Sequence, residues 1–425
     1  MTAEVVEDRT ERSAAPATAP RGAWLVWGVG AACYFVALFH RASLGVAAPD
    51  ALVRFSAGPA VLALFTALQL GVYLVLQVPS GLLADRLGPR RVITGGVVAL
   101  AVGSAVFAIS GSIVGGIAGR VLIGIGDAFM FTNVLRLAAQ WFPANRYGRI
   151  AALTGLIGGL GQVVSTVPLT SALHGLGWLT TFLGAAGLTA VLAVVAVAVI
   201  RDRPRGLVEE DAARHERIAG TLRAVVAQRG TRNSFFAHFV LMGQFLTVTT
   251  LWGAPWLTSA QGFSGGAAGR LLLLCAVGFI VGSLVAGQWV AGRDQRRERY
   301  TLAVSLLVAV AWALVIGWPG ALPLPVLVCV LAVMGFCGGG AMLAFDGAGS
   351  ANAAHRSGAA SGVVNMGGFL AAVLTQLVVG WVLEAVGSPA ATAYRWAFVP
   401  VLVLLLLGAA GQWVYRGRFG AISGR

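Results

Sequence analysis

The sequence predicts an all-α polytopic membrane protein, with twelve transmembrane helices forming two six-helix bundles. Three observations carry this prediction. Of the 425 residues, 58% are hydrophobic and 11% charged, with mean hydropathy +0.83; a soluble domain needs more polar surface. Apolar runs of eighteen or more residues recur along the chain, each long enough to cross the roughly 30 Å hydrocarbon layer as a helix. The connectors between them alternate between arginine-rich and nearly uncharged, as cytoplasmic and external loops do. The 58 glycines suit helices that pack closely in lipid.

In chain order, residues 1–22 read as a polar, disordered cytoplasmic tail, with no short apolar core behind a basic start. Spans are expected at 23–48, 58–84, 90–111, 112–140, 147–173, 177–200, 234–258, 264–291, 300–318, 322–346, 357–384 and 395–415. These give an N-terminal bundle over 23–200 and a C-terminal bundle over 234–415. The cytoplasmic interdomain loop, 201–233, contains LVEEDAARHERIAGTLRAVVAQ, whose apolar spacing predicts a surface or interfacial helix. Residues 416–425 form a second cytoplasmic tail. Of the 30 arginines, Arg54 and Arg395 alone fall in the uncharged set of connectors. Arg41, Arg120, Arg136 and Arg270 lie inside spans, and the rest lie in the arginine-rich connectors or tails. The positive-inside rule then places both termini in the cytoplasm.

The formal charge of +14 follows from those loops and does not call for a nucleic-acid partner. The chain contains no lysine, so it has no GxxxxGK[ST] phosphate loop and no ATP-driven pump chemistry. Cys33, Cys275, Cys329 and Cys337 sit in apolar segments without metal-ligand spacing. With no nucleophile–base pair and no metal cluster, neither an enzyme nor a cofactor is expected. The lipid bilayer and a small-molecule substrate are the expected partners, and the protein is expected to be a monomer. Abundant arginine without lysine is a composition of high-GC bacteria, for which the bilayer is the plasma membrane.

The halves echo each other at a shift of about 210 residues. Arg146-Tyr-Gly148 aligns with Arg356-Ser-Gly358 and Gly158 with Gly368, while Gly81 pairs with Gly287. Six-plus-six parallel repeats suit a rocking transporter with its site between the halves. Span two ends in GLLADRLGPRRVITGG. Gly81 is expected to allow close helix packing and Gly88 a tight turn, with Asp85 bridging to another helix as a conformational latch. This stretch resembles the signature loop of the major facilitator superfamily, with Gly81, Asp85, Arg86, Gly88, Arg90 and Arg91 in register and Pro89 inserted. The resemblance implies the major facilitator fold. The second copy, from Gly287, has Ala291 where the Asp would stand.

Span one carries YFVALFHRASLGVAAP. A charge at mid-bilayer costs about 2.5–3.5 kcal/mol on insertion scales, so such residues are functional or paired. Arg41 on span one and Arg120 on span four fall at about the same depth. Asp127, seven residues beyond Arg120, shares its helix face. Two guanidiniums and a carboxylate at one level would bind an anion, since arginine matches carboxylate bidentately. Asp127 could carry a proton, and His40 titrates in the same range. Plainer roles exist for each: Arg41 could snorkel, Arg120 belongs to a helix-packing R-x-x-x-G-x-G pattern, Asp127 could merely neutralise Arg120, and Arg136 could pair with Asp85.

Tyr34–Pro49, Tyr73-x-x-x-Gln77 and RVLIGIGDAFMFTNVLRLAAQWFP resemble the anion:cation symporter branch of the superfamily. The resemblance covers most of the first half. It implies an organic anion carried with protons or sodium, bound by Arg41, Tyr73 and Arg120, with the carboxylate at 127 as the coupling group. The branch often has Asp where His40 stands, and Glu at 127; His40 is expected to make the pocket more cationic and contact the substrate, or to titrate with it. Gln162 and Asn365 could bond a substrate hydroxyl or join helices. Gln244, Thr247, Thr249, Thr250, Trp252 and Gln376 are further polar residues inside spans seven and eleven, which could face the cavity. His238 reads as interfacial. The expected function is a proton-coupled symporter of a small organic anion. A proton-coupled exporter of drugs or metabolites is the alternative, lowered by the missing Gly-Pro step in span five. Nitrate transport, which would need an arginine in span two, and a transporter-like sensor rank below it.

Overall fold

A computed structural model describes residues 20–203, 218–290, 294–353, 356–386 and 391–417. The helices are α1 (Ala23–Val46), α2 (Pro59–Leu87), α3 (Pro89–Ile109), α4 (Ile113–Trp141), α5 (144–176) and α6 (178–199) in the first half. The second half holds α7 (Arg229–Ala260), α8 (Gly265–Val290), α9 (Asp294–Gly317), α10 (Leu324–Ser350), α11 (Ser357–Val386) and α12 (Ala391–Tyr415). Eleven described helical stretches are long and apolar enough to cross a membrane. One of them, Arg149–Val199, has 51 residues. At about 1.5 Å per residue it is more than twice as long as the hydrocarbon layer is thick. Gly177, at φ 75°, breaks it into α5 and α6, so twelve crossings result.

The expected connector helix appears in part. Ile218–Ala227 is helical, and Val225 is buried with Ala237, Ala344, Ala360 and Val364 of the second half. Residues 204–217 and the two tails, apart from residues 20–22, 416 and 417, lie outside the described residues. The helix of the seventh span begins at Arg229, earlier than the expected 234.

Close helix contacts repeat in the two halves. In the first, a Cβ on Gly161 of α5 would strike the Phe35 carbonyl of α1, and one on Gly124 of α4 would sit 2.6 Å from the Gln69 carbonyl of α2. In the second, Gly367 of α11 meets the Phe235 carbonyl of α7, and Gly335 of α10 meets the Cys275 carbonyl of α8. The aligned pair Gly158 and Gly368 also packs equivalently, on α1 and α7. Gly81 and Gly287 also match each other, but neither packs closely: a Cβ at either meets open space. The expectation that Gly81 permits close packing is corrected; it offers its carbonyl to Arg136 Nη1, at 3.1 Å. Backbone neighbours cannot yield as side chains do. Gly124→Val is therefore expected to cost about 1–3 kcal/mol by overpacking, lowering the melting temperature by several degrees in detergent.

Several spans are irregular, among them α5 at Ser165–Thr166 and α10 at Gly340–Met342, and α4 and α7 most of all. α4 breaks at Phe129–Met130 and resumes at Phe131, with the Asn133 amide donating to the freed Phe129 carbonyl at 2.9 Å and to Ser80. α7 widens to π geometry over Thr247–Trp252 and Trp256–Ala260. Pro255 between them lacks an N–H and crowds the carbonyl four residues back, and such wide turns recur at functional sites.

The halves meet tightly at their arginine-poor ends. Gly45 of α1 lies against the Thr250 carbonyl of α7, and Gly380 of α11 against Ala63 of α2. Glu384 Oε2 accepts from the Ala60 amide at the start of α2, at 3.3 Å. At mid-depth, Leu70, Tyr73, Ala128, Leu246, Phe369 and Ala372 form a small apolar cluster across the interface.

Candidate substrate-binding site

The site is built where α1, α2, α4 and α11 converge at mid-depth. Arg41 reaches across from α1 to α4. Its Nε and Nη2 donate to the two Asp127 carboxylate oxygens, each at 2.7 Å. Asp127 is wholly buried and Arg41 is 7% exposed. The guanidinium lies over the Tyr73 ring at 4.7 Å and near the Phe369 ring at 5.2 Å. Those rings stack at 4.1 Å, so an aromatic floor drawn from both halves supports one cation. Asn365 of α11 extends the contact. Its Nδ2 donates to Gln77 Oε1 at 3.2 Å and points to the Tyr73 hydroxyl at 3.5 Å. Gln69 sits beside the Asp127 carboxylate without a well-formed bond to it.

Asp127 pairs with Arg41 rather than with Arg120, its neighbour on the same helix. Arg120 is fully buried, donates to the His40 carbonyl at 3.3 Å and lies over the Phe107 ring at 5.3 Å. Its Nε and Nη2 have no hydrogen-bond partner. Arg120 thus sits inside the first bundle and cannot touch a substrate in this conformation.

His40 departs from expectation. Adjacent helix residues point about 100° apart, so with Arg41 facing the interface His40 faces α6. Its Nε2 lies 2.9 Å from Thr189 Oγ1, whose hydroxyl donates to the Ala185 carbonyl at 2.8 Å. The ring nitrogen is therefore the donor to Thr189. The structure thus turns His40 away from the Arg41–Asp127 pair, and the expected substrate contact is not made in this conformation. His40→Gln, which can keep that bond, is expected to leave substrate affinity within about twofold by binding assay.

Gln162 also lies apart. It borders a cavity of roughly one water molecule between α5, α7 and α8, with Thr166, Thr249 and Leu272. Helices are joined by Gln244, which donates to the Met334 carbonyl at 2.9 Å, and by Gln376, which donates to Thr250 at 2.8 Å. His238 is not interfacial but fully buried. Gln77 enters the sequence reading only as part of the Tyr73-x-x-x-Gln77 motif, with no site role, and Phe369 and Gln69 read as ordinary span residues.

Among the described residues of the signature loop, Arg90 bonds to the end of α6 and the residues just after it. Gly88, at φ 80°, ends α2. Arg90 N donates to Asp202 Oδ1 at 2.7 Å and Arg90 Nη2 to the Val197 carbonyl at 3.0 Å. Arg86 and Arg91 are exposed. The Asp85 side chain lies outside the described residues.

The sequence profile of the Major Facilitator Superfamily matches residues 30–376. The chain belongs to this superfamily. It is 28% identical over 220 residues to a putative tartrate transporter of Agrobacterium vitis, covering 49% of this chain and 47% of the relative. It is 26% identical over 167 residues to a probable sulfoacetate transporter of Cupriavidus necator, covering 37% of each. The chain thus spans about half or less of the length of these curated relatives. A crystal structure of a bacterial homologue of the human lysosomal transporter Spinster, inward-facing and unoccupied, matches with TM-score 0.73 at 16% identity. The match covers 93% of this chain and 97% of that one, and shows the shared fold.

Proposed function

We propose that this superfamily member is a secondary active transporter that carries a small organic anion by alternating access, in symport with a proton. One observation carries the reading. Two buried guanidiniums, Arg41 at the interface and Arg120 behind it inside the first bundle, stand against one buried carboxylate, Asp127. With Asp127 ionised the three have one positive charge in excess, and buried charge calls for a counterion. Arg41 is the member that faces both halves. A substrate carboxylate at its planar fork would replace Asp127 in kind. The printed names of the tartrate and sulfoacetate relatives fit such a substrate.

Proton coupling follows from the shared guanidinium. While Asp127 is ionised it occupies the Arg41 fork. Once protonated it is a neutral acid and releases the fork, and the substrate anion takes its place. The two ligands then travel together as the halves rock. With arginine-rich connectors in the cytoplasm, the tight arginine-poor end is an external gate, closed here. Both termini are cytoplasmic, the bilayer is the plasma membrane and the unit is a monomer. The loop from Gly81 to Arg91, with Asp85, would latch the opposite state, in which its ends meet the second half. Gln162 lines the closed gate and is placed to bond a substrate hydroxyl only after that gate opens.

The test is counterflow in proteoliposomes, using a panel of sugar acids, dicarboxylates, amino acids and cationic dyes. Exchange of an anion supports the reading. Exchange confined to cations or neutral compounds overturns it in favour of an exporter. Tyr73→Leu is expected to weaken anion affinity about tenfold in the same assay, since a partly desolvated cation–π contact is worth up to about 2 kcal/mol.

A further inference from the structure

The second half contains a buried titratable side chain that the anion cluster does not use. His238 of α7 is wholly buried. Its Nδ1 lies 3.3 Å from the Ala341 carbonyl of α10, and its ring meets Phe345 at 4.9 Å. On the other side it packs on α11 at Gly368, one turn from Asn365, and interacts with the Asn365 amide. Its Nε2 nonetheless has no hydrogen-bond partner. A buried polar nitrogen beside an amide should have found one.

The donors and acceptors account for this. A backbone carbonyl only accepts, so Nδ1 carries the hydrogen and the neutral ring has a lone pair at Nε2. Asn365 turns its Nδ2 toward Gln77 and Tyr73 of the first half. That leaves its carbonyl oxygen for His238. Two acceptors then face each other, and no bond can form. A proton on Nε2 would make it a donor to Asn365 Oδ1. The bonded chain would run from Ala341 through His238 and Asn365 to Gln77 and Tyr73, joining α10 and α11 to α2.

We infer that His238 is a second proton-binding group, whose protonated ring closes onto Asn365 and fastens the contact between the halves. It would make the conformational balance depend on protons at a place separate from Asp127. The charged and titratable groups on the helices packed around α7 are few among the described residues. Arg297 of α9 and Asp346 of α10 pair with each other at 2.8 Å. Tyr300 of α9 and Cys337 of α10 line the same bundle core. Across the interface stands Tyr73, with Arg41 over its ring. The inference rests on the alternating-access reading but not on the anion, so its test contains no substrate.

The full chain, with exposed Cys329 replaced by serine, would carry spin labels at Ala139→Cys and Ala353→Cys, exposed positions toward the arginine-rich ends of the two halves. In nanodiscs, electron–electron distances would be followed against pH. Two pH-dependent steps in the population of states are expected. Asp127→Asn should remove one and leave the other. His238→Gln can donate to Asn365 at every pH, so it should remove the second step with the fastened population present throughout. Asn365→Leu should lose that step with the population absent, and it serves alone if His238→Gln does not fold. Nitrogen shifts of the five histidines should include one neutral ring protonated at Nδ1 that titrates, absent in His238→Gln. A pH response lost entirely in Asp127→Asn, or unchanged in both His238→Gln and Asn365→Leu, overturns the inference.

Discussion

Arg41→Ala is expected to abolish anion uptake, with affinity falling at least about a hundredfold in proteoliposome counterflow. Two charge-assisted bonds at about 1.5–3 kcal/mol each support that figure, since about 1.4 kcal/mol is tenfold. The substitution also leaves Asp127 buried without its partner, which the protein would relieve by keeping Asp127 protonated. Arg41→Lys separates charge from geometry. It keeps a cation over Tyr73 but loses the planar fork, and an intermediate loss of about tenfold is expected. Uptake that survives Arg41→Ala unchanged would show that the ion pair is structural and that the anion binds elsewhere.

Asp127→Asn should separate binding from coupling. The neutral amide no longer holds the Arg41 fork against the substrate, so exchange of anion for anion should persist. Accumulation driven by a pH gradient should disappear. The sign of the pH dependence in the wild type follows from the competition for Arg41. As pH rises, Asp127 loses its proton and reclaims the guanidinium, so anion affinity falls. As pH falls, affinity rises until the substrate's own carboxylate is protonated. Asp127→Asn should flatten that profile near the low-pH affinity. A flat wild-type profile, or uphill transport retained by the variant, would move the coupling role away from Asp127.

The spans were legible because each is long and apolar, and because arginine marks alternate connectors. Their internal breaks were not. The turn at Gly177 falls where the expected spans five and six divide, whereas the interruption of α4 at Phe129–Met130 has no proline to announce it. The repeat was read correctly where Gly158 and Gly368 pack; what fails is the close packing expected of Gly81, where a Cβ meets open space. A glycine in a sequence does not say whether a neighbour will come close.

By itself the sequence determined the membrane class, the twelve crossings, the two-fold repeat and the short set of ionisable residues inside spans. Those properties are local sums of transfer free energy and charge. Only the tertiary structure decided the pairing. Helix periodicity joined Asp127 to Arg120, the residue two turns away, whereas Arg41 crosses from α1 to take the carboxylate. It also turned His40 toward Thr189 and buried His238 beside Asn365. Rotation of one helix about its axis costs almost nothing in hydropathy, yet it decides which face meets which. Packing between helices, through close glycine contacts and buried polar groups that need partners, sets that rotation.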